Sequence, residues 1–472
     1  MNKSIFSLIL AATMSALTLQ AQEVAKTGLN FGPLPAIGYS SDLGWHYGAL
    51  SDIYWYGDGS KYPDYVWKAN VEVSQYSKGN TVLHSFFDSK YLIPGLRVSA
   101  AISYFGNKTY NFYGFNGASS TYIPELDKIT EDGLGWFLMR RDIFRVMTCL
   151  QGNFGDSKWG WATGLSYWDI TTGGAENKGL INGATSLFEQ YIRNNIIPEG
   201  EMYGGRHLEL KAGVVFDSRD HENNPTRGAN LEVYMFGSPD ILPQNNWREK
   251  YNEVYNNAAK THYLKLAVHF KQFFPLVQDR LTLGYHLAYQ GLIAGKAPFY
   301  MLQSIQSLNM KQINTEGLGS TCTVRGTTSN RLMGNGYAWG NFELRYSFAR
   351  FRWIGQNWTL ATNPFFDAGM VVQPYRLEKM ELAGTNATNK RIYLYSDGSC
   401  NINEPEDGVA KATELSLAEL IYSGNKEKVH MGAGIGLHVI MNQNFNINFE
   451  FAKCLDPNDG NIGINIGLNY IF

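Results

Sequence analysis

Beyond its opening stretch, this sequence has no run of roughly 18 apolar residues, so a helical membrane protein is excluded. It is also short of cysteine. Cys149, Cys322, Cys400 and Cys454 are too few for a disulfide scaffold, and their spacing is not that of metal ligands. The net charge of -2 gives no reason to expect nucleic acid as a partner. The chain has no Gly-x-Ser-x-Gly elbow, no His-Glu-x-x-His pair and no phosphate-cradling glycine loop. Asp456-Pro457-Asn458-Asp459-Gly460 lacks the spacing and closing Glu of a calcium loop and reads as a turn. No enzyme activity, cofactor or metal is therefore expected.

What is present is aromatic and glycine-rich: 14% aromatic residues, 49 Gly and 29 Tyr, with a mean hydropathy of only -0.26. A membrane barrel gives this combination, because outward apolar residues alternate with polar residues facing the lumen. At the end of the sequence, Ile462, Ile464, Ile466, Leu468, Tyr470 and Phe472 alternate with Gly463, Asn465, Gly467 and Asn469. A strand points successive side chains to opposite faces, so 462–472 reads as a membrane strand, with Gly467, Tyr470 and Phe472 as a terminal signal. At the other end, Lys3, an apolar stretch from Ile5 to Leu17 and Ala21 read as a secretory signal peptide over 1–21. Residues 22–472 are expected to form one barrel.

Alternation and turn signals predict sixteen strands, near 34–41, 45–55, 66–77, 81–89, 96–105, 138–150, 159–171 and 206–217 in the first half. The second half follows near 228–237, 261–273, 280–291, 338–350, 357–371, 430–440, 443–453 and 462–472. The long connections, 106–137, 172–205, 238–260, 292–337 and 372–429, all follow odd-numbered strands. That segregation is expected of a bacterial barrel with long extracellular loops and short periplasmic turns. The predicted fold is thus all-β, a transmembrane 16-stranded antiparallel barrel.

Four segments carry a family resemblance. They are Phe216-Asp217-Ser218-Arg219-Asp220 with Asn224-Pro225-Thr226-Arg227-Gly228; Val324-Arg325-Gly326; Phe365-Phe366-Asp367-Ala368-Gly369; and Gly434-Ile435-Gly436-Leu437. In this order on the strand map, they resemble the outer-membrane assembly factor superfamily of BamA and TamA, the bacterial surface antigen barrels. Gly32 to Ser40 is similar to the barrel start of that family. The resemblance implies a Gram-negative outer-membrane protein that assists insertion or translocation of proteins or lipids. It also implies a loop folded into the barrel, whose Arg, here Arg325 between Val324 and Gly326, is held by acidic groups on the wall. Periodicity independently places Asp367 and Glu343 on the lumen face, where each carboxylate could take a guanidinium fork.

So little chain precedes the first strand that a member without the family's periplasmic POTRA domains is expected. The expected partners are outer-membrane lipid and a periplasmic or membrane protein supplying the missing receiving domain. Asp217, Arg219, Asp220, Pro225 and Gly228 are read as a structural periplasmic turn, with Pro225 presetting the backbone and Gly228 allowing tight re-entry. His84, His207, His269, His286 and His438 are read as lumen or interface residues. Trp159, Trp161, Tyr167 and Trp168 are expected in interfacial girdles, and one disulfide among Cys322, Cys400 and Cys454 is conceivable. The alternative reading is a passive channel or solute-binding barrel; a barrel-embedded hydrolase ranks last, because no nucleophile and base converge.

Overall fold

Strict alternation over ten or more residues, repeated along the chain, forces a sheet that is apolar on one face and polar on the other. The computed structural model describes residues 24–40, 43–123, 126, 135–175, 186–242, 261–308, 317–375, 393–394, 400–401, 413–414, 419, 421–468 and 470–472. The expected signal peptide lies outside the described residues. The first eight strands are β1 (Leu29–Ser40), β2 (Gly44–Trp55), β3 (Trp67–Tyr76), β4 (Thr81–Ile93), β5 (Leu96–Asn111), β6 (Leu138–Asn153), β7 (Trp159–Gly173) and β8 (Gly204–Asp217). The remainder are β9 (Gly228–Ser238), β10 (Tyr263–Val277), β11 (Leu281–Gly295), β12 (Gly336–Trp353), β13 (Gln356–Gln373), β14 (His430–Met441), β15 (Phe445–Cys454) and β16 (Ile462–Leu468).

These strands form one 16-stranded sheet in sequence order. All sixteen predicted strands are present, most of them longer at the ends than alternation alone indicated. β1 and β16 adjoin, but among the described residues no backbone ladder joins them and the sheet is not closed. No helix among the described residues is long and apolar enough to cross a membrane.

The two faces differ as the alternation requires. Phe342, Leu344, Phe366, Ile435, Leu437, Phe449 and Phe451 are exposed on the outer face. Between them Asn341, Glu343, Asp367, His438, Asn448 and Glu450 are buried on the inner face. His207, His269 and His286 are buried there too. One girdle expectation needs correction: Trp159 is exposed, but Trp168 is buried with its ring 4.7 Å from the guanidinium of Arg145. The local Trp–Tyr pattern does not show which wall residue will supply a cation for the ring to cover.

The connections after β5, β7, β9, β11 and β13 are the long ones. Three of them fold together at their end of the barrel. Helix α1 (Leu187–Arg193), after β7, places Phe188 and Tyr191 edge-on to Phe112 and packs Phe188 against Phe299 of helix α2 (Phe299–Leu302). Aromatic edges against faces are favourable beyond the area they bury. The cluster gives these loops an apolar core of their own.

A second correction concerns the end of the sequence. β16 stops at Leu468 rather than running to Phe472. Ile462, Ile464 and Ile466 are exposed, whereas Tyr470 and Phe472 are only 4% and 9% exposed. Tyr470 stacks on His438 at 4.1 Å, and Phe472 stacks on Phe273 at 6.0 Å. Local alternation kept these two rings on the outer face; an inner-face Arg and aromatic wall take them instead.

Candidate functional site

Asn341 and Asp367 stand directly opposite each other on β12 and β13, and Asp367 pairs in turn with Gly432 of β14. Glu343 lies two residues along β12 from Asn341, on the same face, and Glu450 comes from β15. The strand pleat therefore brings three carboxylates onto one patch of the inner wall. Asp367 is 0% exposed, Glu343 1% and Glu450 5%. Carboxylates so buried require partners.

Arg325, from the connection after β11, meets all three. Its Nε and Nη2 donate to the two oxygens of Asp367 at 2.7 and 2.9 Å, and its backbone N–H donates to Asp367 Oδ2 at 3.1 Å. Nη1 donates to Glu343 Oε1 at 2.9 Å and to Glu450 Oε1 at 2.8 Å. The guanidinium carbon lies 3.4 Å from the centroid of the Phe365 ring. Such a fork is both charge-assisted and directional. Asn341 fixes Asp367 from the side, donating Nδ2 to Oδ1 at 2.9 Å.

The main chain of Val324-Arg325-Gly326 approaches the wall where the wall has no side chains. A Cβ on Gly369 would sit 2.9 Å from Val324 Cγ2, and one on Gly432 would sit 1.9 Å from the Arg325 carbonyl oxygen. Gly326 itself has φ +91°, with Cys454 and Lys453 backbone against it. These contacts explain why glycine stands at 326, 369 and 432.

Glu450 was not singled out from sequence. Its signal was available, since it shares parity with Asn446 and Asn448 between Phe449 and Phe451. Arg345 was missed as well. It donates Nε to Glu343 Oε2 at 2.9 Å, so Glu343 is shared between Arg325 and Arg345. Wall side chains also reach the main chain of segment 300–307. Arg141 donates to the Tyr300 carbonyl at 3.1 Å, Lys265 to Met301 at 3.0 Å, Gln290 to Ser304 at 2.7 Å and Lys211 to Ser307 at 3.0 Å.

The other predicted residues lie apart from this cluster. Asp217 and Arg219 pair in a fork, Nε to Oδ1 at 2.9 Å and Nη2 to Oδ2 at 2.6 Å. Asp220 accepts the amides of His221 and Thr226, each at 2.9 Å, and of Arg227 at 3.3 Å. Burial acts to raise the Asp220 carboxyl, but the hydrogen bonds from Thr226, Arg227 and His221 outweigh it and leave it below its ordinary value. Pro225 is buried, and Gly228, with φ +96°, packs on the Ser218 carbonyl. Gly467 pairs with Asn448, while Tyr470 and Phe472 sit inside as described above. Cys454 is a free thiol, Cys322 Sγ lies 3.6 Å from Thr321 Oγ1, and the Cys400 side chain lies outside the described residues. Among the described residues no group of His, Cys, Asp and Glu could hold a metal ion.

The Omp85 superfamily domain matches residues 182–472, well over half of the chain. Comparison with curated proteins finds no match. Among solved structures, CdiB from Escherichia coli is 12% identical with a TM-score of 0.50, over 97% of this chain and 69% of that one. BamA from Haemophilus ducreyi lacking POTRA domains 1-3 is 15% identical with a TM-score of 0.47, over 99% of this chain and 78% of that one. CdiB from Acinetobacter baumannii is 11% identical with a TM-score of 0.40, over 94% and 66%. The likeness to the Escherichia coli protein is one of fold.

Proposed function

The chain belongs to the Omp85 superfamily, and on that premise we propose that it assists insertion or translocation of proteins or lipids at the outer membrane, using a loop pinned inside the barrel by Arg325. It is an outer-membrane β-barrel of a Gram-negative bacterium, from a family of transporters and assembly factors that act with partner proteins. The observation that carries the reading is the five-bond seat of Arg325 among Asp367, Glu343 and Glu450. A buried cation shared by strands β12, β13 and β15 fixes a loop to the wall. Its loss leaves carboxylates buried without compensation, which costs on the order of 3–5 kcal/mol. Such a seat suits a barrel whose lumen is held in a defined state better than it suits an open pore.

No catalytic step is part of this reading. A periplasmic or membrane partner would supply the domain that receives clients, and Asp217, Arg219, Asp220, Pro225 and Gly228 would shape the turn on the periplasmic side. The test uses the purified protein in liposomes, with an unfolded outer-membrane barrel as client. We expect faster client insertion than in empty liposomes, and loss of that acceleration with Arg325→Ala. The same variant should unfold at a lower temperature, read by heat-modifiable migration. Arg325→Lys should recover only part of both, because an ammonium cannot fork to a carboxylate. Unchanged insertion and unchanged heat-modifiability in Arg325→Ala would remove the pinned loop from the proposal. A steady solute conductance without any insertion activity would favour the passive channel.

A further inference from the structure

At the end of the barrel opposite the long connections, a cavity of about 440 Å³ is walled by β4, β5, β6 and β8 and by Glu222 of the connection after β8. Small-ligand sites have volumes of about 300–1,000 Å³. One wall is fixed by ion pairs. Glu222 accepts Arg97 Nη2 at 3.0 Å and pairs with Lys90 at 3.1 Å, while Arg97 Nε and Nη2 donate to Asp88 at 2.7 and 2.8 Å and Nη1 stays free. The neighbouring Asn223 donates Nδ2 to Asn444 Oδ1 of the β14–β15 turn at 2.8 Å, which ties the connection down. The β6 side is different, because its polar side chains are not committed. Gln151 Oε1 is buried without a hydrogen-bond partner. Among the described residues Lys158 pairs with no carboxylate, and it and Asn153 are exposed. A buried acceptor left unmet costs stability, and folded proteins keep few of them.

We propose that this cavity docks an extended acidic peptide segment, supplied by the periplasmic partner that the insertion reading calls for. That reading supplies only the source of the peptide; the cavity itself sets the chemistry. The Lys158 ammonium and the remaining N–H groups of Arg97 and Lys90 take carboxylate oxygens in charge-assisted bonds. The carboxamides of Gln151 and Asn153 each carry an acceptor and donors, which complement the N–H and C=O of a peptide group. Leu96 and Val215 add an apolar wall for uncharged side chains. A basic peptide is disfavoured. Lys90, Arg97 and Lys158 face only two lining carboxylates, Glu222 and Asp217, and Asp217 is already forked to Arg219. A bare anion such as sulfate would meet the cations but bring no donor for Gln151 Oε1.

The test titrates three peptides onto the purified protein in maltoside detergent. Each has blocked termini and an uncharged dye, and alternates alanine with glutamate, glutamine or lysine; anisotropy reads binding. We expect the glutamate peptide to bind about tenfold or more tighter than the glutamine peptide, and the lysine peptide not to bind. Lys158→Gln, in an exposed turn, should weaken the glutamate peptide at least about fivefold. Gln151→Leu should weaken the glutamate and glutamine peptides alike, by about threefold, because it removes a contact to main chain. Lys78→Gln, at the other end of the barrel, should change neither. Equal binding of the glutamate and glutamine peptides, or a Lys158→Gln protein that binds like the parent, would overturn the proposal. So would displacement of the glutamate peptide by equimolar sulfate, which marks a site for small anions. The titration needs no client, so a failed insertion assay and failed peptide binding are separate results.

Discussion

At the scale of single residues, the candidate site depends on glycines as much as on charges. Gly432 lets the Arg325 carbonyl approach β14, and a Cβ there would meet that oxygen at 1.9 Å. Gly432→Ala should therefore destabilise the protein by about 1–3 kcal/mol, since backbone must move on one side or the other. Gly463→Ala is the matched control, because its nearest neighbours are 3.5 Å away. Heat-modifiability midpoints should fall for the first and stay near the parent for the second. Asp220 makes a pH prediction. Its carboxyl sits below its ordinary value in the fold, so its contribution to stability is complete above the ordinary carboxylate value and fades as pH falls through the lowered one. Asp220→Asn should lower the midpoint at neutral pH and flatten its decline in acid, in a melting series across that range.

At the scale of elements, each strand could be read from its own residues, because the pleat puts every second side chain on one face. Glu343 and Asp367 were identified as inward-facing on that ground alone, and both are buried on the inner face. Which loop residue would meet them was expected only through the family motif, since alternation says nothing about a loop. Helix α1 shows how much local chemistry also contributes. Ser186 accepts from the Glu189 amide, and the Glu189 carboxylate accepts the Ser186 amide at 2.9 Å, a capping box. Ser186→Ala should weaken this helix by about 1 kcal/mol. Amide exchange at Glu189 should accelerate severalfold while exchange in the β6 core stays unchanged.

At the scale of the whole molecule, inner-face side chains hold segments from several parts of the chain. Segment 300–307 accepts hydrogen bonds from Arg141, Lys265, Gln290 and Lys211, Arg325 pairs with carboxylates of β12, β13 and β15, and Tyr470 and Phe472 stack on His438 and Phe273. With the proposed loop pinned inside the barrel, purified protein in a planar bilayer should lack the steady, large conductance of a general porin. A steady open-pore current from the parent protein would contradict the proposed pinned loop.

The sequence by itself determined the strand count, the side of the wall that most strand residues face and the end of the barrel that carries the long loops. Those properties follow from the pleat and from turn chemistry, which are local. Only the tertiary structure decided that Glu450 joins Asp367 and Glu343, that Trp168 turns inward over Arg145, and that Tyr470 and Phe472 leave the wall for Arg345. Each of these outcomes depends on residues far apart in the chain, whose proximity exists only once the sheet has curled around its lumen.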